Sequence, residues 1–222
     1  MVKKGTALKN KILETAHLFF SEKGYDKTSV NDVINKLGIS KGAFYHYFNS
    51  KDEVLDAIIL GYTTEAVDML YEIVYDPSLN GLEKYIKMFA EVQARRKKNA
   101  ERFSYLTQLF LNEENLLFRH RYIEKIIELT KPPFILILQQ GVKEGLFIIN
   151  HPDETAELII RLSNIYRTKI AMLTLTLKNN PNNLLKIQSI IEFMQDTVER
   201  LLGVDSGKLD IISRSFQSGI KQ

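Results

Sequence analysis

The chain has no cysteine among its 222 residues. Disulfides, thiol nucleophiles and cysteine-ligated metal are therefore excluded, and a reducing cytoplasm is the compartment that fits. Long apolar runs are also lacking. The clearest, Phe134 to Leu138, is only five residues, far below the ~20 that a membrane-spanning helix needs. The amino-terminal MVKKGTALKNK carries basic residues without an apolar core behind them, so it does not read as a signal peptide. Neither sign of charge dominates: the net charge is +3, and the first 60 residues hold nine lysines against seven acids. Charge alone does not point to nucleic acid. The four histidines, His17, His46, His120 and His151, are scattered. Glu14 and His17 have the E-x-x-H spacing of di-metal bundles, but such a site needs a second copy and further carboxylates. No cofactor or metal site is expected, His17 reads as structural, and the chain does not read as an enzyme. Screening purified protein for bound metal and hydrolase activity is the check on that exclusion.

What is there is concentrated between Thr28 and Lys51, TSVNDVINKLGISKGAFYHYFNSK. Ser29 and Asp32 fit a capping box, and Val30, Val33, Ile34 and Leu37 follow at helical spacing. Gly38 ends that helix, because glycine enters the left-handed region cheaply. Ile39 would plug the core. Ser40 then caps a second helix, Lys41 to about Tyr47, which is the grammar of a helix-turn-helix. Phe44 and Phe48, four apart, can face the core together. Lys41, Gly42, Ala43, Tyr45, His46 and Tyr47 are left outward or sideways. Small residues at 42 and 43 let the helix N-terminus approach a surface, and its free N–H groups suit a phosphate. The tyrosines and His46 can donate to phosphate or touch base edges. Ser50 and Glu53 form another capping box, which sets Lys51 at a helix start and near a second phosphate.

The words TSVNDV, LGISKGAFYHYF and SKDEVL resemble the DNA-binding signature of the tetracycline-repressor (TetR) family of bacterial regulators. Ile12 to Ser29 resembles the family's first helix and the turn after it. The resemblance covers about the first quarter of the chain. It implies that Thr28, Ser40, Lys41, Gly42, Tyr45, His46 and Lys51 fall on DNA-contacting positions, with Tyr47 a weaker candidate. Ala43 departs from members that place a polar base reader there. It further implies a ligand pocket within the body, for which the candidate wall residues are Phe89, Gln93, Phe103, Gln108, Tyr122, Phe134 and Tyr166.

The rest of the chain reads as helices, so the expected fold is all-α: a helix-turn-helix head over 1–47 and a larger ligand-binding and dimerisation body over 48–222. Residues 1–8 read as an arm before a helix from Lys9 to Lys23. A helix from Lys51 to about Tyr75 leaves the head and enters the body, making it the natural mechanical link. Asn80-Gly81 marks a loop. Further helices are expected over 81–98 and 99–114. The basic last turn at 95–98 complements the helix dipole. Residues 115–144 read as helical with a kink or break at Pro132-Pro133. Helices over 153–178 and 181–202 are apolar on several sides, so each needs a partner beyond its own body. Pairing two such helices from each chain makes a four-helix homodimer interface. After a flexible 203–207, Leu209, Ile212, Phe216 and Ile220 suit a short tail helix.

These features imply a homodimeric repressor that sets helix 40–47 in the major groove of a palindromic double-stranded DNA operator. A small, mainly apolar effector would release it by preferring one position of the linking helix. The rival from another class is a DNA-binding organiser of chromosome or division with the same head, a filled body and no effector.

Overall fold

The computed structural model describes residues 2–209, without the side chains of 2–5, 65, 96, 97 and 100–103. Among the described residues the chain is helical throughout. The helices are α1 (Val2–Lys23), α2 (Val30–Leu37), α3 (Lys41–Tyr45), α4 (Lys51–Val74), α5 (Gly81–Lys98), α6 (Ala100–Leu111), α7 (Leu116–Lys143), α8 (Pro152–Leu175) and α9 (Asn183–Leu202). A 3-10 turn, Glu113–Asn115, joins α6 to α7. The expected tail helix beyond Leu209 lies outside the described residues.

Several boundaries differ from expectation, and α6 and α8 end at Leu111 and Leu175, three residues before the expected 114 and 178. α1 begins at Val2, not at Lys9; no breaker interrupts the run from Thr6 to Lys11, so the helix simply continues toward the amino terminus. α3 stops at Tyr45 and not at Tyr47. α7 continues through Pro132 and Pro133 without the expected break. Each proline removes its own donor and crowds the carbonyl four residues before it, but the helix around the pair is strongly anchored. Pro133, Phe134, Ile137 and Leu138 are buried, and the Lys131 ammonium bridges Asp153 at 2.6 Å and Glu157 at 2.9 Å.

The helices pack into two compact units. One comprises residues 1–64 with 101–125, the other 65–100 with 126–222, so α4 and α7 each contribute to both. This division is one of packing, and it runs along other lines than the functional division expected at residue 47. The first unit is built on Ile12, Ala16, Phe20, Val33, Ile34, Phe44, Phe48, Leu55 and Leu109, all buried. His17 takes the structural role expected of it: its Nε2 lies 2.6 Å from the Tyr62 hydroxyl, and the Tyr105 ring stands edge-on at 5.8 Å.

The second unit gathers Met69, Leu70 and Ile73 of α4, Tyr85 of α5, Phe134, Ile137 and Leu138 of α7, and Val198 and Leu202 of α9. Its helix α5 starts on a capping box, Asn80 with Glu83, which gives the expected loop at Asn80 a defined end. On α8 the apolar residues Leu158, Ile165 and Met172 recur every seventh position and stay at least half exposed; Leu185 and Phe193 of α9, eight positions apart, are also at least half exposed. These two helices therefore bury one side in their own unit and present an apolar side outward, as the sequence pattern required.

Candidate nucleic-acid interface

The helix-turn-helix is fixed by its caps. The Asp32 N–H donates to Ser29 Oγ at 3.1 Å, and the Ser29 N–H donates back to Asp32 Oδ2 at 2.7 Å. The Lys23 ammonium, 2.8 Å from Asp32, and then the Ser29 groups lower the Asp32 carboxyl to about 2. At the other end of α2, Gly38 sits at φ 62, its N–H on the Asn35 and Ile34 carbonyls. That value lies in the left-handed region, where a side chain is strained. The Ala43 N–H then donates to Ser40 Oγ at 3.1 Å and starts α3.

Phe44 and Phe48 are 1% and 2% exposed, with ring centroids 6.2 Å apart. Each contributes about 1.5–3 kcal/mol by burial, which fixes the rotation of α3. Ser40, Lys41, Gly42, Tyr45 and His46 are left on the open face, with Tyr45 at 50% exposure. Tyr47 is half-buried, its ring edge-on to His46 at 4.8 Å. Ala43 is half-buried as well.

Two residues of the expected set sit differently. Thr28 is buried at 2% exposure and its hydroxyl donates to the Gly24 carbonyl at 2.8 Å. Lys51 is half-buried; its ammonium donates to the Tyr25 carbonyl at 2.7 Å and lies 4.0 Å from the centre of the Tyr25 ring. Both therefore brace the α1–α2 turn. An ammonium carries three donors, so Lys51 retains capacity for a phosphate. The second capping box is shifted: the Glu53 N–H reaches Ser50 Oγ at 3.1 Å, while the Glu53 carboxylate takes the N–H and side-chain amide of Asn49.

Sequence reasoning missed the residues that hold this unit from a distance. Asn115 is fully buried. Its Oδ1 accepts the Tyr25 N–H at 2.7 Å, and its Nδ2 donates to the Phe20 carbonyl at 2.9 Å and the Leu109 carbonyl at 3.3 Å. Asn112 Nδ2 donates to the Ser21 carbonyl at 3.2 Å. Two asparagines some ninety positions downstream thus satisfy the end of α1, a service usually done by neighbours in sequence. Gly24, at φ +91, makes room: a Cβ there would lie 2.4 Å from Glu114 Cβ.

The expected ligand-wall residues divide between the units. Phe89 and Phe134 converge on Tyr85 in the second unit, at 4.9 and 5.8 Å between ring centroids. Gln93 is half-buried, and Tyr166 stacks at a tilt on Phe193 at 5.7 Å. Gln108, exposed, and Tyr122, buried edge-on to Phe110 at 5.0 Å, belong to the first unit. The Phe103 side chain lies outside the described residues.

A capped helix-turn-helix inside an all-helical unit, with an open face of Lys, Gly, Tyr and His, defines a helix-turn-helix DNA-binding protein. Residues 12–58 match the bacterial regulatory proteins of the tetR family, and residues 107–176 match a tetracyclin repressor-like C-terminal domain. The chain belongs to the TetR family of transcriptional regulators. It is 29% identical over 160 residues to the HTH-type transcriptional repressor KstR2 of Mycobacterium tuberculosis, covering 69% of this chain and 74% of that one. To the HTH-type regulator YfiR of Bacillus subtilis it is 31% identical over 148 residues, 61% of this chain and 66% of that one. In fold it is similar to a solved TetR-family structure from Syntrophomonas wolfei, with a TM-score of 0.66 at 19% identity over 92% of this chain and 100% of that one. Among the described residues no helix is long and apolar enough to cross a membrane.

Proposed function

We propose that this regulator is a repressor that binds a palindromic operator as a homodimer and leaves it on binding a small, mainly apolar molecule. The observation that carries the DNA-binding part is the open face of α3, with Lys41, Gly42, Tyr45 and His46 exposed above a buried Phe44. Lys41, Tyr45 and His46 are the base readers, since Ala43 offers only a methyl. Ser40 and Lys51 contact backbone phosphate, and Tyr47 and Thr28 support the helix from behind. In function, residues 1–47 form the DNA-binding head and 48–222 the body that binds ligand and pairs with the second copy.

The dimer reading is supported by the stripe of Leu158, Ile165 and Met172 on α8 and by Leu185 and Phe193 on α9, all at least half exposed. Twofold pairing of α8 and α9 covers these side chains and gives the symmetry that a palindrome mirrors. A relative named as a repressor, KstR2, supports the sign of regulation. The effector acts by favouring one position of α4, and it shifts the balance only by its difference in affinity for the two states.

The experiment is a pair of variants read by operator binding and solution mass. Tyr45→Ala removes sequence-specific binding, by at least about tenfold for a lost base contact, and leaves the dimer intact. Ile165→Glu places a charge in the apolar stripe, yields monomer or aggregate, and loses operator affinity with it. Unchanged binding by Tyr45→Ala removes α3 as the reading helix; a sound dimer of Ile165→Glu relocates the interface.

A further inference from the structure

Tyr85 lies at the centre of the second unit, 1% exposed. Its ring is enclosed by Phe89 at 4.9 Å, Phe134 at 5.8 Å and Phe147 at 6.4 Å between centroids. Its hydroxyl is buried and has no hydrogen-bond partner among the described residues. A buried polar atom without a partner is rare and calls for a specific explanation, because burying it unbonded is unfavourable. A phenylalanine at this position would fill the same aromatic cluster without that cost.

A second polar group lies in the same core. Glu199 of α9 is 3% exposed. Its Oε1 accepts the Leu209 N–H at 2.9 Å and the Gln195 amide at 3.2 Å, and it forms no ion pair among the described residues. Its charge is felt at Tyr85: burial first, and then the negative Glu199, push the Tyr85 hydroxyl well above the ordinary phenol range. The phenol therefore keeps its proton and can both donate and accept. The buried Lys84 ammonium, next to Tyr85 in sequence, is committed to the Val74 carbonyl at 2.6 Å and to Gln140 Oε1 at 2.8 Å.

We infer that the Tyr85 hydroxyl receives the polar end of the effector, and that this end is a neutral hydroxyl or carbonyl group and not a carboxylate. The inference rests on the reading that the body binds a small apolar molecule. The aromatic rings supply apolar contact for the rest of the molecule, and the orphaned hydroxyl orients it. A carboxylate brought against Tyr85 would meet the charge of Glu199 in a medium of low dielectric, where like charges repel strongly. A neutral hydroxyl or carbonyl meets no such penalty.

The test compares two probes of equal length, 1-octanol and octanoate, by titration calorimetry at neutral pH on the full chain. Wild type binds 1-octanol, and octanoate at least about tenfold more weakly; Tyr85→Phe weakens 1-octanol binding about five- to tenfold, the worth of one hydrogen bond. Glu199→Gln narrows the gap between the probes. Equal affinity of Tyr85→Phe for 1-octanol, or tighter binding of octanoate to wild type, overturns the inference. So does absence of 1-octanol binding, which leaves the hydroxyl holding a buried water only. Thermal unfolding of probe-free Tyr85→Phe gives an independent reading. An unchanged or higher midpoint supports an orphaned hydroxyl, and a fall of several degrees overturns it by revealing a structural partner. Operator release separates this inference from the functional reading. Binding of 1-octanol that depends on Tyr85 but does not release operator leaves the inference standing and sinks the effector reading. Release that Tyr85→Phe retains in full does the reverse.

Discussion

The α2–α3 segment and α7 reach the helical state by different routes. α2 is eight residues long and α3 five, too short to be stable alone. Their instructions are local: Ser29 with Asp32 at one end, Gly38 at the other, then Ser40. α7 is 28 residues long and contains two prolines, each of which disfavours a helix interior by about 3 kcal/mol. It is held by burial on both sides of those prolines, from Phe118 and Tyr122 to Phe134, Ile137 and Leu138. The difference teaches where sequence signals can be trusted. Short helices must carry their own punctuation, whereas a long one with enough buried surface overrides poor propensity.

The largest effect expected from breaking this contrast is at Asn115, where the locally instructed segment is tied to the corner before α7. Asn115→Ala strands the Tyr25 N–H and the Phe20 carbonyl in a buried site, and unfolding in urea reads a loss of about 3 kcal/mol. A loss below about 1 kcal/mol would mean that the caps of α2 and α3 hold the unit unaided. Next comes a paired comparison. Ser29→Ala removes a cap and costs about 1 kcal/mol, while Pro132→Ala restores a backbone donor and raises stability by up to about 3 kcal/mol. If Pro132→Ala destabilises, the proline is part of what fixes α7 and the contrast fails.

The smallest effect is the pH dependence at His17. Burial lowers its pKa from 6.5, so the folded state resists a proton that the unfolded chain accepts. The His17 contribution is complete above pH 6.5 and is lost as pH falls from there toward the folded value. Tyr62 and Tyr105 hold the ring and add no charge. His17→Gln flattens the slope of stability below about pH 6.5; an unaltered slope assigns the acid sensitivity to other groups.

The same contrast governs what the sequence made legible. The capping box, Gly38, and the buried pair Phe44 and Phe48 stood in the sequence because each is set by neighbours within four positions. The open face of α3 followed from that pair. The inward turn of Thr28 and the tie from Lys51 to Tyr25 were not legible, because they depend on how α1 and α4 meet. Asn112 and Asn115 gave no signal at all, since their partners are about ninety residues away and an asparagine before a helix reads as an ordinary cap. At Tyr85 only the packed unit reveals a buried hydroxyl without a hydrogen-bond partner among the described residues.

The central claim is that α3 reads a palindrome in the grip of a dimer. Its most direct test is selection of bound fragments from random duplex DNA, with the mass of the protein measured in solution. The account predicts an enriched palindrome bound by two chains, with enrichment lost in Tyr45→Ala. A folded dimer that enriches no sequence would contradict it, and would favour an organiser that binds DNA without a specific operator.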